Sequence, residues 1–260
     1  VKLAEQGVRE ITLLGQNDNG YFGKQHDGST CDFAELLYLV AEIEGIERIR
    51  FTTSHPLHFD ARQIQAFKDL PKLANYIHLP VQAGNDRVLG AMKRGYTVAQ
   101  YEAKIAALRA VRPNISISTD FIVGFPTETE QEFEDTMALI GRVGFDQAFS
   151  FMYSPRPGTP AAMLVDNIPL VEKKRRLHIL QARIAQFGQS YRESLLGSVQ
   201  TVLVERDAKR PGQQCGRLGS NHIVNFACDP ALRGKFVQVN ITGLTTNSFI
   251  GEALLPMQPF

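Results

Sequence analysis

Cysteine is scarce in this sequence of 260 residues. The three cysteines, Cys31, Cys215 and Cys228, lie far apart, and none has a histidine or a second cysteine two or three residues away. An odd number without a close pair excludes a disulfide scaffold and a self-contained cysteine metal site. His55 and His58 are three residues apart, but no third ligand accompanies them at a spacing that suits zinc. The sequence therefore predicts no metal site within the chain.

Long apolar runs, internal repeats and low-complexity segments are also missing. No stretch approaches the roughly 18 to 20 apolar residues that a membrane span needs, and the first residues lack the pattern of a signal peptide. We therefore expect a cytoplasmic protein that does not enter a membrane. The composition, with 43% hydrophobic residues and a formal net charge of +1, is typical of a globular chain.

The small net charge conceals an asymmetry between the two parts of the chain. Residues 1–170 contain 16 Lys and Arg against 21 Asp and Glu, a net charge of −5. Residues 171–260 contain 12 against 6, a net charge of +6. A basic region of this kind favours a polyanionic partner, most simply a nucleic acid.

Strand-like and helix-like segments alternate over the first two thirds of the chain. The predicted strands are residues 11–14, 49–53, 77–81, 115–123 and 148–152, and the predicted helices are residues 32–44, 60–69, 97–111 and 129–143. This alternation indicates a parallel α/β sheet, either doubly wound or forming most of a β/α barrel. Because a helix is already under way at Val1, we expect that preceding sequence, including another strand, is missing.

The remaining third of the chain has a different rhythm. A basic helix is predicted from Val171 to about Leu196, with apolar residues at helical spacing. Short β-type runs without intervening helices follow at residues 200–205, 223–226, 236–242 and 248–254. They predict a small β-barrel, an architecture that often binds single-stranded nucleic acid. We place the domain boundary near residue 193, which gives domains at residues 1–192 and 193–260.

Polar and glycine-containing residues follow each predicted strand of the first domain. In parallel α/β folds the loops at this end of the strands converge on one pocket. Asp120 lies within an apolar strand, where an unpaired carboxylate is costly, so it requires a hydrogen-bonding partner or a ligand; the pattern alone leaves both open. Gln82 and Arg94 flank one loop and short helix, and an arginine there could bind a ligand carboxylate with two parallel hydrogen bonds.

The loop sequences, taken in order, resemble those of the radical S-adenosylmethionine methylthiotransferases. The motifs that carry the resemblance are LGQN at residues 14–17, RFTTSHP at 50–56, HLPVQAG at 78–84, STDFIVGFP at 118–126 and YSPRPGTPA at 153–161. Residues from 202 onward, including VLVE at 202–205 and TNS at 246–248, are similar to the RNA-binding TRAM domain of that family. Ala83, Asn85 and Thr127 depart mildly from the family pattern.

The resemblance implies a fold and a set of site residues. The fold would be an incomplete radical-SAM (β/α) barrel followed by a TRAM-like all-β barrel. Residues implied in binding S-adenosylmethionine are Gln16, Asn17, Thr53, Ser54, Gln82, Arg94 and Asp120. Residues implied in binding the substrate are Tyr153, Ser154, Arg156 and Thr159 around the base and Lys174 and Arg176 at the phosphates.

The resemblance also implies an activity and its partners. The loops resemble most the branch of the family that methylthiolates C2 of N6-isopentenyladenosine at position 37 in the tRNA anticodon loop. The implied cofactors are S-adenosylmethionine and two [4Fe-4S] clusters, with an electron donor of the flavodoxin type and a monomeric enzyme. The family's CxxxCxxC motif and its second cysteine set are both absent, so we expect a fragment of a longer enzyme that is inactive alone.

Three alternatives to this activity stay open at the sequence level. Sibling enzymes act on threonylcarbamoyl-adenosine in tRNA or on an aspartate of a ribosomal protein. The third alternative is a non-catalytic RNA-binding module.

Overall fold

Alternating strands and helices form the first part of the structure, as the hydrophobic pattern predicts. The computed structural model describes residues 1–25, 27–52 and 54–254. The elements of this part are α1 (Lys2–Glu5), β1 (Glu10–Leu13), β2 (Phe22–Lys24), β3 (Thr30–Asp32), α2 (Phe33–Ala41), β4 (Arg48–Phe51), α3 (Ala61–Asp69), β5 (Tyr76–His78), α4 (Asp86–Ala91), α5 (Val98–Val111), β6 (Ser116–Val123), α6 (Glu130–Val143), β7 (Gln147–Met152) and α7 (Leu170–Ser194).

The parallel strands follow one another across the sheet in chain order. β1 pairs with β4, and β5, β6 and β7 form a parallel group in that order. The segment before β5 joins the two groups, since Ile49 donates to the carbonyl of Lys72 at 2.8 Å and Ala74 donates to the carbonyl of Ile49 at 2.9 Å. Because the order never reverses, the sheet is wound as in a β/α barrel, and the doubly wound alternative is wrong.

Local sequence signals explain where the longer helices begin. The side chains of Thr97 and Thr129 each accept a hydrogen bond from the backbone amide three residues on. The side chains of Gln100 and Glu132 in turn accept one from the amides of Thr97 and Thr129, so α5 and α6 both start with a complete capping box. Gly144 ends α6 in the left-handed conformation, with φ of 63°. These caps fix the lengths of the crossovers that separate the parallel strands.

The opposite faces of β6 divide the sheet into a packed side and a polar side. Ile117 and Phe121 are fully or almost fully buried in the hydrophobic core against the helices. Ser116, Ser118 and Asp120 alternate with them and face the other side. The polar side is the one on which a binding site can form.

The last part of the described chain is a closed barrel of five strands. They are β8 (Val199–Asp207), β9 (Gln213–Leu218), β10 (Ile223–Ala227), β11 (Phe236–Leu244) and β12 (Phe249–Ala253), in the order β10-β12-β11-β8-β9. Fully buried side chains, among them Val202, Phe226 and Phe249, fill its own core. The small barrel is confirmed, but β9 was not predicted as a strand because its sequence QQCGRL lacks β-branched residues.

Buried charges join the small barrel to the amino-terminal ends of the parallel strands. Arg48 donates to the carbonyls of Thr201 at 2.8 Å and Arg217 at 3.1 Å. Arg50 donates in the same way to the carbonyls of Leu218 and Gly219 at the end of β9, and the carboxylate of Glu10 lies 3.2 Å from Arg48 and 3.0 Å from Arg50. The small barrel therefore closes the end of the sheet opposite to the strand-end loops.

Among the helices of the described residues, none is long and apolar enough to cross a lipid bilayer.

Candidate functional site

A cavity of about 640 Å³ opens at the carboxyl ends of β5, β6 and β7. Seven of the residues that the sequence selects line it, three from the cofactor set and four from the substrate set. They are Gln82, Arg94, Asp120, Tyr153, Ser154, Arg156 and Thr159. The structure thus brings together residues that lie up to 77 positions apart in the sequence.

Gln82 is held at the edge of this cavity in an uncommon backbone conformation. Its φ is 74°, in the left-handed region that residues with a side chain rarely adopt. Two hydrogen bonds maintain it, since Gln82 donates to the carbonyl of Asp120 and accepts from the amide of Ile122, both at 2.9 Å. Such locally strained residues cluster at functional sites.

Tyr96 supports the same loop from behind. Its hydroxyl donates to the carbonyls of Val81 at 3.0 Å and Pro80 at 3.2 Å, and burial raises the pKa of Tyr96 to about 12. The hydroxyl therefore stays a donor, and the strand end next to Gln82 is fixed in place.

Arg94 brings a partly unsatisfied guanidinium to the cavity. Its backbone donates to the carbonyl of Leu89 at 3.0 Å, which continues the turn after α4. Its Nε is buried and has no hydrogen-bond partner among the described residues. A buried donor without a partner costs free energy, so this atom is suited to an anionic group of a ligand.

Asp120 has a protein partner that the sequence did not reveal. One carboxylate oxygen lies 3.4 Å from Nε2 of His78, and Nδ1 of His78 lies 2.7 Å from the hydroxyl of Ser118. The Asp120 side chain is 27% exposed, so it still faces the cavity and is less buried than the strand pattern suggests. His78 was missed because its position in an apolar run indicates a core residue, and Asp120 lies 42 residues away.

Tyr153 and the loop after β7 form the opposite wall. The Tyr153 hydroxyl is buried without a hydrogen-bond partner in the described part of the chain, and its ring lies edge-on to Phe125 with 5.2 Å between centroids. Thr159 turns the loop back, because its amide and hydroxyl donate to the carbonyl of Arg156 at 3.2 and 2.8 Å. This wall offers one free hydroxyl and a fixed turn.

The other predicted cofactor residues form a neighbouring group outside this cavity. Asn17 contacts Nδ1 of His58 through its side-chain nitrogen at 2.8 Å, Gln16 is exposed, and the hydroxyl of Ser54 is buried without a partner in the described residues. Thr53, also predicted to bind the cofactor, lies outside the described residues.

Two loops meet in this neighbouring group. The side chain of Asn19 donates to the carbonyl of His55 at 3.0 Å and accepts from its amide at 2.7 Å. Burial, followed by the charge of Arg94, lowers the pKa of His55, which favours the neutral ring beside the cavity.

Arg176, predicted to meet substrate phosphates, lies in a buried ion-pair network in this structure. Its guanidinium is buried and paired with Glu128 at 2.8 Å, Glu172 at 2.8 Å and Glu130 at 3.1 Å. The sequence of α7 does not reveal these pairs, because Glu128 and Glu130 lie just before and at the start of α6. Lys174 is exposed, as expected, but it does not line the cavity.

The described residues suit S-adenosylmethionine but do not suit an iron-sulfur cluster. An unsatisfied cationic donor and a carboxylate face one cavity, matching the carboxylate and the ammonium group of a methionine moiety. By contrast, no group of three or more His, Cys, Asp or Glu side chains able to hold a metal occurs in residues 1–25, 27–52 and 54–254.

Comparison with curated proteins gives strong similarity over nearly the whole chain. The tRNA-2-methylthio-N(6)-dimethylallyladenosine synthase of Haemophilus influenzae (strain PittEE) is 55% identical over 254 residues, covering 97% of this chain and 54% of that protein. The synthase of the same name from Pseudomonas paraeruginosa (strain DSM 24068 / PA7) is 56% identical over 256 residues, covering 98% and 57%. The chain thus spans about half the length of the curated relatives it matches.

Among solved structures, coproporphyrinogen III oxidase from Escherichia coli, described as a radical SAM enzyme, aligns with 72% of this chain and 48% of its own. The identity is 16% and the TM-score is 0.48.

Family models match both parts of the chain. The radical SAM superfamily model matches residues 1–140, and the TRAM domain model matches residues 193–254. The strand order and the closed five-stranded barrel agree with these two matches. The chain therefore belongs to the radical SAM superfamily, which implies S-adenosylmethionine and iron-sulfur chemistry, and it carries a TRAM domain.

Proposed function

We propose that this protein takes part in the methylthiolation of C2 of N6-dimethylallyladenosine at position 37 of tRNA. The observation that carries the proposal is that one cavity is lined by three of the seven residues expected to bind S-adenosylmethionine and by the four expected to border the substrate base. The names of relatives that are 55% and 56% identical support the same reaction.

Arg94 and Asp120 would hold the charged end of S-adenosylmethionine. The guanidinium of Arg94 would donate to the carboxylate, while Asp120, oriented by His78, would accept from the ammonium group or a ribose hydroxyl. Gln82 would add a polar contact from its fixed strand end. When bound, S-adenosylmethionine supplies the methyl group and the radical chemistry of the superfamily, and the protein supplies position and containment.

The loop after β7 would border the base. The free hydroxyl of Tyr153 is available to a base nitrogen or oxygen, and Ser154 and Thr159 line the same wall. Apolar side chains, including Ile122, Phe125 and Met152, line the remainder of the cavity and would exclude water from the reacting atoms.

The remaining partners stay predictions. tRNA as the substrate is supported by the TRAM domain and by the exposed Lys174 on the basic helix. The second [4Fe-4S] cluster, an electron donor of the flavodoxin type and the monomeric state rest on the family resemblance alone, and the cytoplasmic location rests on the sequence pattern alone.

A second candidate function is RNA binding without catalysis by this chain alone. The observation that favours it is the lack of cluster ligands among the described residues, together with an intact TRAM barrel. This candidate makes the chain a binding module that depends on other protein segments for chemistry.

A chimera separates the two functions. This chain would replace the matching region of the Haemophilus influenzae relative, and the chimera would be reconstituted with iron and sulfide and incubated with S-adenosylmethionine, reductant and tRNA lacking the methylthio group. Mass spectrometry of the nucleosides would detect the 2-methylthio product. We expect product from the chimera and none from the 260-residue chain alone.

Arg94→Ala in the chimera tests the cofactor site. We expect at least tenfold weaker S-adenosylmethionine binding, because a charge-assisted hydrogen bond contributes about 1.5–3 kcal/mol, while tRNA binding is unchanged. Arg62→Ala, a change on a 63% exposed side chain, is the matched control. Unchanged cofactor affinity in Arg94→Ala would refute the role of this residue, and an inactive chimera that still binds tRNA would favour the binding module.

A further inference from the structure

Two phenylalanines on β7 expose most of their rings to solvent beside the cavity. Phe149 is 57% exposed and Phe151 is 54% exposed, whereas Phe121 on the neighbouring strand β6 and Phe145 just before β7 are fully buried. β7 is the edge strand of the group β5-β6-β7, and alternation places both rings on one face. These rings are not part of the hydrophobic core, and no role proposed above uses them.

The register of the strands places the two rings next to the site. Phe149 pairs with Asp120 and Phe151 pairs with Ile122, and side chains of paired residues point to the same side of a sheet. Phe151 lines the cavity, and the ring of Phe149 lies edge-on to His78 with 6.0 Å between centroids. The rings therefore form a continuous surface, here called the β7 platform, that leads into the cavity.

The charge around the β7 platform indicates which planar ligand it suits. Lys93, Arg94 and Arg156 line the same cavity, and Asp120 is the only acidic side chain that does so among the described residues. An apolar peptide segment carries no charge that such a cationic border would bind. A nucleotide contains both a planar base and an anionic phosphate. Aromatic side chains bind unpaired bases by stacking, at about 1–3 kcal/mol per base.

We propose that the β7 platform stacks an unpaired purine of an RNA loop and thereby directs it into the cavity. The proposal rests on the proposed function in that the purine is the target adenosine of the anticodon loop. The new element is that Phe149 and Phe151 bind a base that has left the base stack of its loop. The test below also detects whether a second copy of the chain or a further protein segment covers the platform instead.

The absence of tryptophan from the chain allows a direct test. Phe151→Trp keeps a stacking ring and introduces a single fluorophore. The ligand is a synthetic anticodon stem-loop RNA with adenosine at position 37, compared with the same RNA carrying an abasic site there. We expect the intact RNA to quench the tryptophan emission and the abasic RNA to leave it largely unchanged.

Affinity gives a second measurement on the unlabelled chain. Phe151→Ala should weaken binding of the intact RNA about tenfold, the lower half of the range measured for lost stacking. Phe22→Ala is the matched control, since Phe22 is 72% exposed on β2 and does not line the cavity. In a double-mutant cycle the abasic site should add no further loss to Phe151→Ala, because both changes remove the same contact.

Three results would overturn the proposal. Equal affinities of the wild type, Phe22→Ala and Phe151→Ala, with additive effects of the abasic site, would show that the platform does not touch the base. An emission of Phe151→Trp that depends on protein concentration without RNA would identify a second copy as the occupant. An emission already shielded from acrylamide in the chimera would identify another protein segment.

The outcomes also separate this inference from the proposed function. If the chimera forms the methylthio product while Phe151→Ala binds RNA normally, only the platform fails. If the chain quenches and binds as expected but the chimera forms no product, only the proposed reaction fails.

Discussion

Arg50 donates a hydrogen bond of 2.6 Å from Nη2 to the backbone carbonyl of Leu218, 168 residues away. Its Nη1 donates to the next carbonyl, that of Gly219, at 3.1 Å. The Arg50 side chain is 4% exposed, and its only carboxylate partner among the described residues is Glu10. Burial, followed by the charge of Arg50, lowers the pKa of the adjacent Arg48 to about 10. Buried charge thus contributes to the junction between the two parts of the protein.

This arrangement predicts that Arg50→Ala destabilises the whole chain. The substitution removes one of the two cations beside the carboxylate of Glu10 and leaves two backbone carbonyls without their donors. Because the ion pair is buried, we expect the free energy of unfolding to fall by about 3 kcal/mol. Urea unfolding followed by circular dichroism would measure it. Arg9→Ala is the control, because Arg9 is 42% exposed and lies 3.6 Å from Glu47, and should change the free energy of unfolding by less than about 0.5 kcal/mol. Equal stability of the two variants would contradict this account.

His222, in the turn between β9 and β10, predicts a pH dependence of stability. Its Nδ1 lies 3.1 Å from the carbonyl of Ser220, while its Nε2 lies 2.9 Å from the side-chain nitrogen of Gln147, an arrangement that requires the neutral ring. Burial lowers the pKa of His222 to about 4. A lowered folded-state pKa contributes stability that is fully present above pH 6.5 and is lost as the pH falls towards 4, on the order of 3 kcal/mol in total.

The His222→Gln variant isolates this contribution. Burial raises the pKa of the nearby Asp146 to about 6, so its protonation favours the folded state over part of the same range, with the opposite sign. Asp146 is present in both proteins and cancels when the variant is subtracted. The difference in free energy of unfolding between wild type and variant should shrink as the pH falls from 6.5 to 4. A difference that is constant with pH would rule out the neutral buried ring.

The basic helix α7 contains two cations with opposite expected behaviour. Arg176→Ala should lower the free energy of unfolding by about 3 kcal/mol because Glu128 would stay buried without its partner. Lys174→Ala should leave stability within about 0.5 kcal/mol of wild type and reduce the slope of log affinity against log salt for tRNA by about 1. Unfolding curves and binding titrations at several salt concentrations would measure both. An unchanged salt slope in Lys174→Ala would show that this residue is only solvated.

The sequence predicted the parallel strands to within a few residues, because their apolar runs and the capped helices between them are local signals. It could not show the hairpin of β2 and β3 or the strand β9, since short polar strands depend on their pairing partners. The seven cavity residues were predicted from short sequence motifs, which are also local signals.

Side-chain contacts between distant segments could not be predicted from the sequence. Nothing near Arg176 reveals Glu128 as its partner, and nothing near His78 reveals Asp120. The same holds for Phe149 and Phe151, whose alternation reads as an ordinary half-buried strand. Their exposure is a property of the sheet edge, which only the assembled strands define.

The cavity and the small barrel lie at opposite ends of the parallel strands, and the length of the strands sets the distance between them. β6 contains eight residues, so roughly 23 Å of strand lies between its two ends. The cavity opens at one end, and the turn of the small barrel closes the other. A ligand that fills the cavity and touches the small barrel at the same time must therefore extend past the full height of the sheet. A free nucleotide is too short to do so.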